Sequence, residues 1–160
     1  MTRRGTTAAV LATAAVAGLG LGGGAAGAQA PENSGTPATV ILDGSAQKAL
    51  TRARARWKAA HVRDYRLRVA LGCFCPPEAT TPRTITVHGG LPVKPPANLR
   101  DVASVLRLFR TIQQAIDGEV AGLKVTYGKR GMPTSIAVDV DTHIADEERS
   151  YVVDRFQRLG

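Results

Sequence analysis

From Tyr65 to Cys75 the side chains alternate. Tyr65, Leu67, Val69, Leu71, Cys73 and Cys75 share one phase; Arg66, Arg68, Ala70 and Gly72 share the other. A period of two belongs to a strand with one dry face and one wet face. Pro76-Pro77 closes it, because proline donates no hydrogen to a ladder. Thr84 to His88 repeats the pattern with Ile85 and Val87 inward, and Gly89-Gly90 is a two-residue hairpin signal leading into Leu91 to Val93. Pro92, Pro95 and Pro96 confine that return strand to an edge. Leu123 to Tyr127, a turn at Gly128 to Gly131, Thr134 to Val140 and Tyr151 to Phe156 supply three more strands. Short turns between strands imply antiparallel pairing.

Two segments carry the helical period instead. Between Ser45 and Ala60, the residues Ala46, Ala49, Leu50, Ala53, Trp57 and Ala60 form one apolar stripe, with Ser45 as expected N-cap. Lys48, Arg52, Arg54, Arg56 and Lys58 fall largely outside it, and Trp57 reads as a core anchor. From Asp101 to Asp117, Val102, Val105, Phe109, Ile112 and Ile116 line one face, Leu108 and Ala115 broaden it, Asp101 caps it and Gly118 stops it. The fold class expected is α+β, a two-layer sandwich in which an antiparallel sheet of about five to six strands carries two helices on one face.

The opening segment stands apart from this pattern. Arg3 and Arg4 precede an uncharged Ala/Leu/Val/Gly run that ends Ala26-Gly27-Ala28-Gln29-Ala30, the layout of a removable secretion signal. Ala28 and Ala30 both fit as the last signal residue. Cleavage after Ala28 is preferred, since Pro31 would follow Ala30. A retained anchor is the weaker alternative, because Gly and Ala contribute little to insertion. The organisation expected is a signal peptide over 1–28, a flexible leader over 29–43 and one α+β domain over 44–160. Localisation is then secreted or extracytoplasmic, with no membrane span after cleavage. Loss of Arg3 and Arg4 takes 21 basic residues to 19 against 13 acidic, a formal charge near +6. That charge favours anionic surfaces. The basic residues of the first helix, with Arg63, Arg66, Arg68 and Arg83, read as one positive surface, a solvated face being the plainer reading; it lacks aromatic interleaving, so nucleic acid is not an expected partner.

Three groups of residues are candidates for chemistry. Cys73 and Cys75 are the only cysteines, and in an exported chain they are expected to pair as a disulfide. A reduced buried pair, a redox-active pair and a metal site are the readings left beside it. Arg66 and Arg68 on the outward phase are candidate ligand-binding residues, with Thr84, Thr86, Lys124 and Thr126 expected on the same open sheet face. Asp139, Asp141 and Asp146 are candidate cation ligands in an acidic stretch. It starts like a calcium loop but places Ile144 where the required glycine belongs and Ser150 where the bidentate Glu belongs. The plainer reading is a solvated turn. No catalytic residue is assigned: His61, His88 and His143 sit in no recognisable frame, and G-x-S-x-G, H-E-x-x-H and a phosphate loop are all absent. No cofactor is implied.

Several residues also recur together in a familiar order. They are Trp57 with Asp64-Tyr65, Cys73-x-Cys75-Pro76, Val87-x-Gly89-Gly90, Val105-x-x-Leu108-Phe109-x-x-Ile112-x-x-Ala115, Val125-x-Tyr127, Gly131-x-Pro133-Thr134-x-Ile136-x-x-Asp139 and Asp146-x-Glu148-x-x-Tyr151. This order resembles DUF6174, a bacterial exported domain of unknown function, over about Leu50 to Phe156. The resemblance implies a small secreted or lipid-anchored protein, although the cysteine of a lipobox is missing here. It implies no activity, cofactor or catalytic residue. The function expected is a non-enzymatic binding module for a protein or an anionic envelope polymer. The alternative is a thiol-redox or cation-dependent enzyme, which requires a cleft beside Cys73/Cys75 or the acidic stretch. A purely structural envelope component requires a surface without any pocket.

Overall fold

A computed structural model describes residues 37–40, 44–141, 143 and 148–160, with side chains from residue 44 onward. The expected signal segment and Asp146 lie outside the described residues. In chain order the elements are β1 (Pro37–Val40), α1 (Ser45–Ala59), β2 (Tyr65–Gly72), a single turn α2 (Pro77–Thr80), β3 (Arg83–His88), β4 (Leu91–Pro92), a 3-10 turn (Ala97–Val102), α3 (Val105–Asp117), β5 (Gly122–Tyr127), β6 (Pro133–Asp139) and β7 (Arg149–Arg158). The strands form one sheet in the order β1-β5-β6-β7-β2-β3-β4, every pairing antiparallel. The α+β sandwich is as expected. The seventh strand is β1, from within the stretch read as leader, which pairs with β5 along the sheet edge.

The alternation in β2 becomes burial directly. Tyr65, Leu67 and Val69 are almost wholly enclosed, and Arg66 between them is exposed. Opposite residues in an antiparallel pair share a face. The register therefore puts Ile85 and Val87 of β3, Val153 and Phe156 of β7, Ile136 of β6, and Leu123 and Val125 of β5 on the same side as Leu67. Both helices cover that side. Leu50, Ala53 and Trp57 of α1 and Val105, Leu108, Phe109 and Ile112 of α3 complete the core. Each large aliphatic side chain enclosed this way contributes about 1.5–3 kcal/mol. Trp57, Tyr65 and Phe156 stack in a three-ring cluster with centroids 5.3–5.9 Å apart.

Four local expectations change. The periodicity runs to Cys75, but β2 ends at Gly72 and residues 73–75 bend. Asp101 does not cap the second helix. It falls in the 3-10 turn, and α3 starts three residues later than that turn ends, with Ser104 as N-cap; its hydroxyl accepts the Arg107 N–H at 3.4 Å. Ser104 wins because it is the last extended residue before the helical run, where an acceptor side chain can reach back over the first turn. At α1 the N-cap position belongs to Gly44, one residue before Ser45. At the far end of α3, Gly118 is the C-cap as expected, yet the left-handed residue is Glu119, at φ +48°.

Candidate functional site

Where the two helices meet the β3–β4 turn, a groove of about 800 Å³ opens on the helical layer. Its apolar floor comes from Trp57, Val62 and Phe109, Leu106 stands at its mouth, and its rim comes from Arg54, Lys58, His61, Arg63 and Arg110; no carboxylate lines it. The local sequence explains the arrangement. Trp57 and Phe109 belong to the apolar stripes; Lys58 and Arg110 directly follow them and so sit at the stripe edges, and Arg54 lies about one turn before Trp57. One end is closed by a bridge between the helices: Arg54 donates to Gln113 Oε1 at 2.9 Å and to the Phe109 carbonyl at 3.2 Å, and Gln113 Nε2 donates to Gln47 Oε1 at 2.8 Å. The other end is closed by Gly89-Gly90. Their φ values of +57° and +86° suit the primed hairpin turn that glycine favours.

That turn is itself fastened. Asp64 Oδ1 accepts the Gly89 N–H at 3.0 Å and lies 3.2 Å from His88 Nδ1, and Gly90 N–H donates to the Arg63 carbonyl at 2.8 Å. The Gly89 N–H, then His88, hold the Asp64 carboxyl below its ordinary range. Lys58, His61 and Arg110 make no side-chain hydrogen bond or ion pair among the described residues. The one Lys or Arg pairing with a carboxylate there is Arg68 with Asp154, at 3.3 Å on the other side of the sheet.

The open sheet face holds a second concavity, a trough of about 720 Å³. Registers place Lys124, Ala137, Ser150 and Gly72 in one row across β5, β6, β7 and β2. Small side chains in that row leave the backbone as floor. Cys73, Phe74, Asp139, Glu148 and Arg149 stand around it.

The residues singled out from the sequence distribute over both faces. Cys73 and Cys75 are paired as a disulfide, with Cα atoms 5.3 Å apart, inside the span such a bond needs. The bend after Gly72 supplies the shortening that an extended strand lacks. Phe74 between them is 86% exposed. Arg66 and Arg68 do lie on the open face, aligned with Thr86 and Thr84, but neither lines the groove or the trough. Asp139 lines the trough, with Oδ1 buried and without a hydrogen-bond partner. Asp141 accepts the His143 N–H at 2.9 Å and lies 3.0 Å from His143 Nδ1, contacts that hold its carboxyl low. This is the geometry of a local turn. Among the described residues no three His, Cys, Asp or Glu side chains gather as a metal site, and no helix is long and apolar enough to cross a membrane.

The basic residues of α1 were visible in the sequence as one positive surface with Arg63, Arg66, Arg68 and Arg83. Strand parity divides that surface. Arg54, Lys58 and Arg63 face the groove, whereas Arg66 and Arg68 take the opposite side of the sheet. Arg110, Leu106 and the floor contributed by Phe109 were not legible as site residues, since only tertiary packing brings α3 beside Lys58. Two concavities also remove the reading that requires a surface without any pocket.

No curated protein matches the chain. No solved structure matches it either. One family model does, over residues 49–158, which run from within α1 to the end of β7. The chain belongs to that family, a family of unknown function, DUF6174.

Proposed function

We propose that this is an extracytoplasmic, non-enzymatic binding module whose partner, a protein or an envelope polymer, is anionic and is held at the groove between α1 and α3. The observation that carries the reading is the groove's charge: five basic or titratable cationic side chains on the rim and no carboxylate in the lining. Charges of one sign around a low-dielectric concavity focus their field on what enters it. Export rests on the Arg3-Arg4 start and the Ala28/Ala30 end of the opening run. Intact mass of the protein recovered outside the cytoplasm is expected to begin at Gln29 or Pro31. Full-length chain in the cytosol with Met1 in place removes that part of the reading.

Titration with poly-L-glutamate tests the binding. Trp57, the single tryptophan, lies in the groove wall and reports occupancy by its fluorescence. Binding is expected to weaken steeply between 0.05 and 0.3 M salt as the Debye length shrinks, and to weaken at least tenfold in Lys58→Gln/Arg110→Gln. Both side chains are exposed, so the fold is retained. Binding that ignores both salt and the double variant overturns the reading.

A second reading has one observation in its favour: a cleft does lie beside Cys73. In that reading the thiolate of a partner dithiol attacks one sulfur of the Cys73–Cys75 bond, a mixed disulfide forms, and the partner's second thiolate displaces it. The partner leaves oxidised and Cys73 and Cys75 are left reduced. Incubation with a reduced dithiol peptide under argon tests it. Appearance of two free thiols supports the exchange, and an unchanged disulfide removes it.

A further inference from the structure

We infer that what the groove takes up from that partner is a small amphiphilic group, an apolar tail with one anionic head, rather than a length of helix or of polymer backbone. The inference rests on the anionic-partner reading above and adds the ligand's size and its apolar half.

The dimensions come first. α1 contributes positions 54 to 58 and α3 positions 106 to 113, so the two helices line the groove over about 6 Å and about 10 Å at the 1.5 Å rise per residue. The Arg54–Gln113 bridge closes one end and the Gly89-Gly90 turn closes the other. A docked helix of three turns spans about 16 Å, longer than either wall. Its volume of about 800 Å³ lies in the range of small-ligand pockets, roughly 300–1,000 Å³.

The lining gives the second half. Trp57 and Phe109 are nearly buried, but Leu106 leaves 56% of itself exposed at the groove mouth. A Cβ placed on Gly90 would come 3.9 Å from Leu106 Cδ1, so the hairpin turn and Leu106 face each other across that mouth. An apolar tail lying along the exposed side of Leu106, beside the turn, hides that surface from water and is favoured for that reason. Polar contacts are available at the rim. Lys58 and Arg110 are exposed and have no partner among the described residues, while Arg63 already lends its charge to Asp64. Arg54 is committed to Gln113 and Phe109. The head group therefore belongs at Lys58 and Arg110, where it meets two unneutralised cations.

The chain's own N-terminal segment is a poor occupant. Residues 1–31 carry Arg3 and Arg4 and no Asp or Glu, so their charge matches the rim's.

The test is calorimetry on the full chain with decanoate and decyl phosphate below their micelle concentrations, beside decyltrimethylammonium, acetate and inorganic phosphate. Both anionic amphiphiles are expected to bind at least tenfold tighter than acetate or phosphate, and the cationic one not at all. Which of the two binds tighter assigns the head as carboxylate or phosphate. Leu106→Asp, at an exposed position, and Lys58→Gln/Arg110→Gln are each expected to weaken binding at least tenfold. Amphiphile binding that both variants leave unchanged overturns the inference. If poly-L-glutamate binds through Lys58 and Arg110 but decanoate binds no better than acetate, the tail is wrong and the anionic reading stands. If neither binds, both fall. Dimerisation that the double variant abolishes makes the occupant a second copy and also overturns the inference.

Discussion

The hydroxyl of Tyr65, the first residue of β2, accepts the backbone N–H of Val105, the first residue of α3, at 2.9 Å in a site where Tyr65 is 1% exposed. The first N–H groups of a helix have no partner inside it, so one buried oxygen from the sheet fixes where α3 begins. The groove depends on that placement, because Leu106, Phe109 and Arg110 follow within two turns. Tyr65→Phe keeps the ring in its cluster and leaves the Val105 N–H buried without an acceptor. The expected cost is about 1–3 kcal/mol in urea unfolding. A loss under about 0.3 kcal/mol shows that the bond does not hold the helix.

The same phenol gives the fold an alkaline limit. Burial pushes Tyr65 up to about 12 from 10.0, against the pull of the Val105 N–H and Ser104. Burial likewise pushes Tyr127 up to about 12, against the charges of Arg54 and Arg56. The unfolded chain releases these protons first, so their contribution is complete below pH 10 and is lost as the pH rises from 10 through 12. For Tyr65 the full loss is on the order of 3 kcal/mol. Urea midpoints at pH 8, 10 and 11.5 are expected to fall over the last interval, and to fall less in Tyr65→Phe. A flat profile contradicts the shift.

Gly131 ties the β5–β6 turn to α1. Its φ is +79°, and a Cβ there would overlap the carbonyl of Ala53 on the buried stripe of α1. Gly131→Ala therefore meets both a left-handed backbone, costing ~1–2 kcal/mol, and a clash that moves the helix. Gly89→Ala is the control, since φ there is +57° with open space around the added carbon. The Gly131 variant is expected to lose at least ~2 kcal/mol and about 8 °C in Tm, the control about half that. Equal losses show that the turn does not press on α1.

Ser104 and Asp101 separate two accounts of how α3 begins. Ser104→Ala removes the acceptor for the Arg107 N–H and is expected to cost about 1 kcal/mol. Asp101→Ala leaves the cap intact, because Asp101 is held through its backbone carbonyl, which accepts from the Thr111 hydroxyl at 3.1 Å. Its effect is expected within ~0.5 kcal/mol. The reverse order places the cap at Asp101 after all.

How much of this was legible follows the range of the interactions. Side-chain period is local, so the inward phase of β2, the stripe through Leu50 and Trp57 and the turn at Gly89-Gly90 could be read directly. Pro37–Val40 carries no alternation; it is a strand because β5 offers an unpaired edge, a fact located eighty residues away. The insertion of β7 between β6 and β2 is equally non-local. The groove combines both cases. Its cations on α1 stood out, yet grouping them with Arg66 and Arg68 ignored strand parity, which sends those two through the sheet to the other face. Arg110 and Leu106 lie off the apolar stripe of α3, and only the packing of α3 on α1 brings them to the edge of the groove.

The disulfide is a final case in which size decides the outcome. Cys73 and Cys75 enclose a loop of one residue, and the loop-closure entropy removed from the unfolded chain grows with loop length, so a bond this short contributes at most about 2 kcal/mol. The residues it shapes lie outside the core: Phe74 is exposed, and Cys73 borders the trough rather than the packed face. Cys73→Ser/Cys75→Ser is therefore expected to fold with the same helix and sheet content, to lose no more than about 2 kcal/mol in urea unfolding, and to bind poly-L-glutamate as the unaltered chain does, because the groove lies on the opposite side of the sheet. A loss above about 4 kcal/mol means that the bend after Gly72 sets the β2–β7 register. Weakened polyanion binding in a variant of full stability means that the trough, and not the groove, receives the anion.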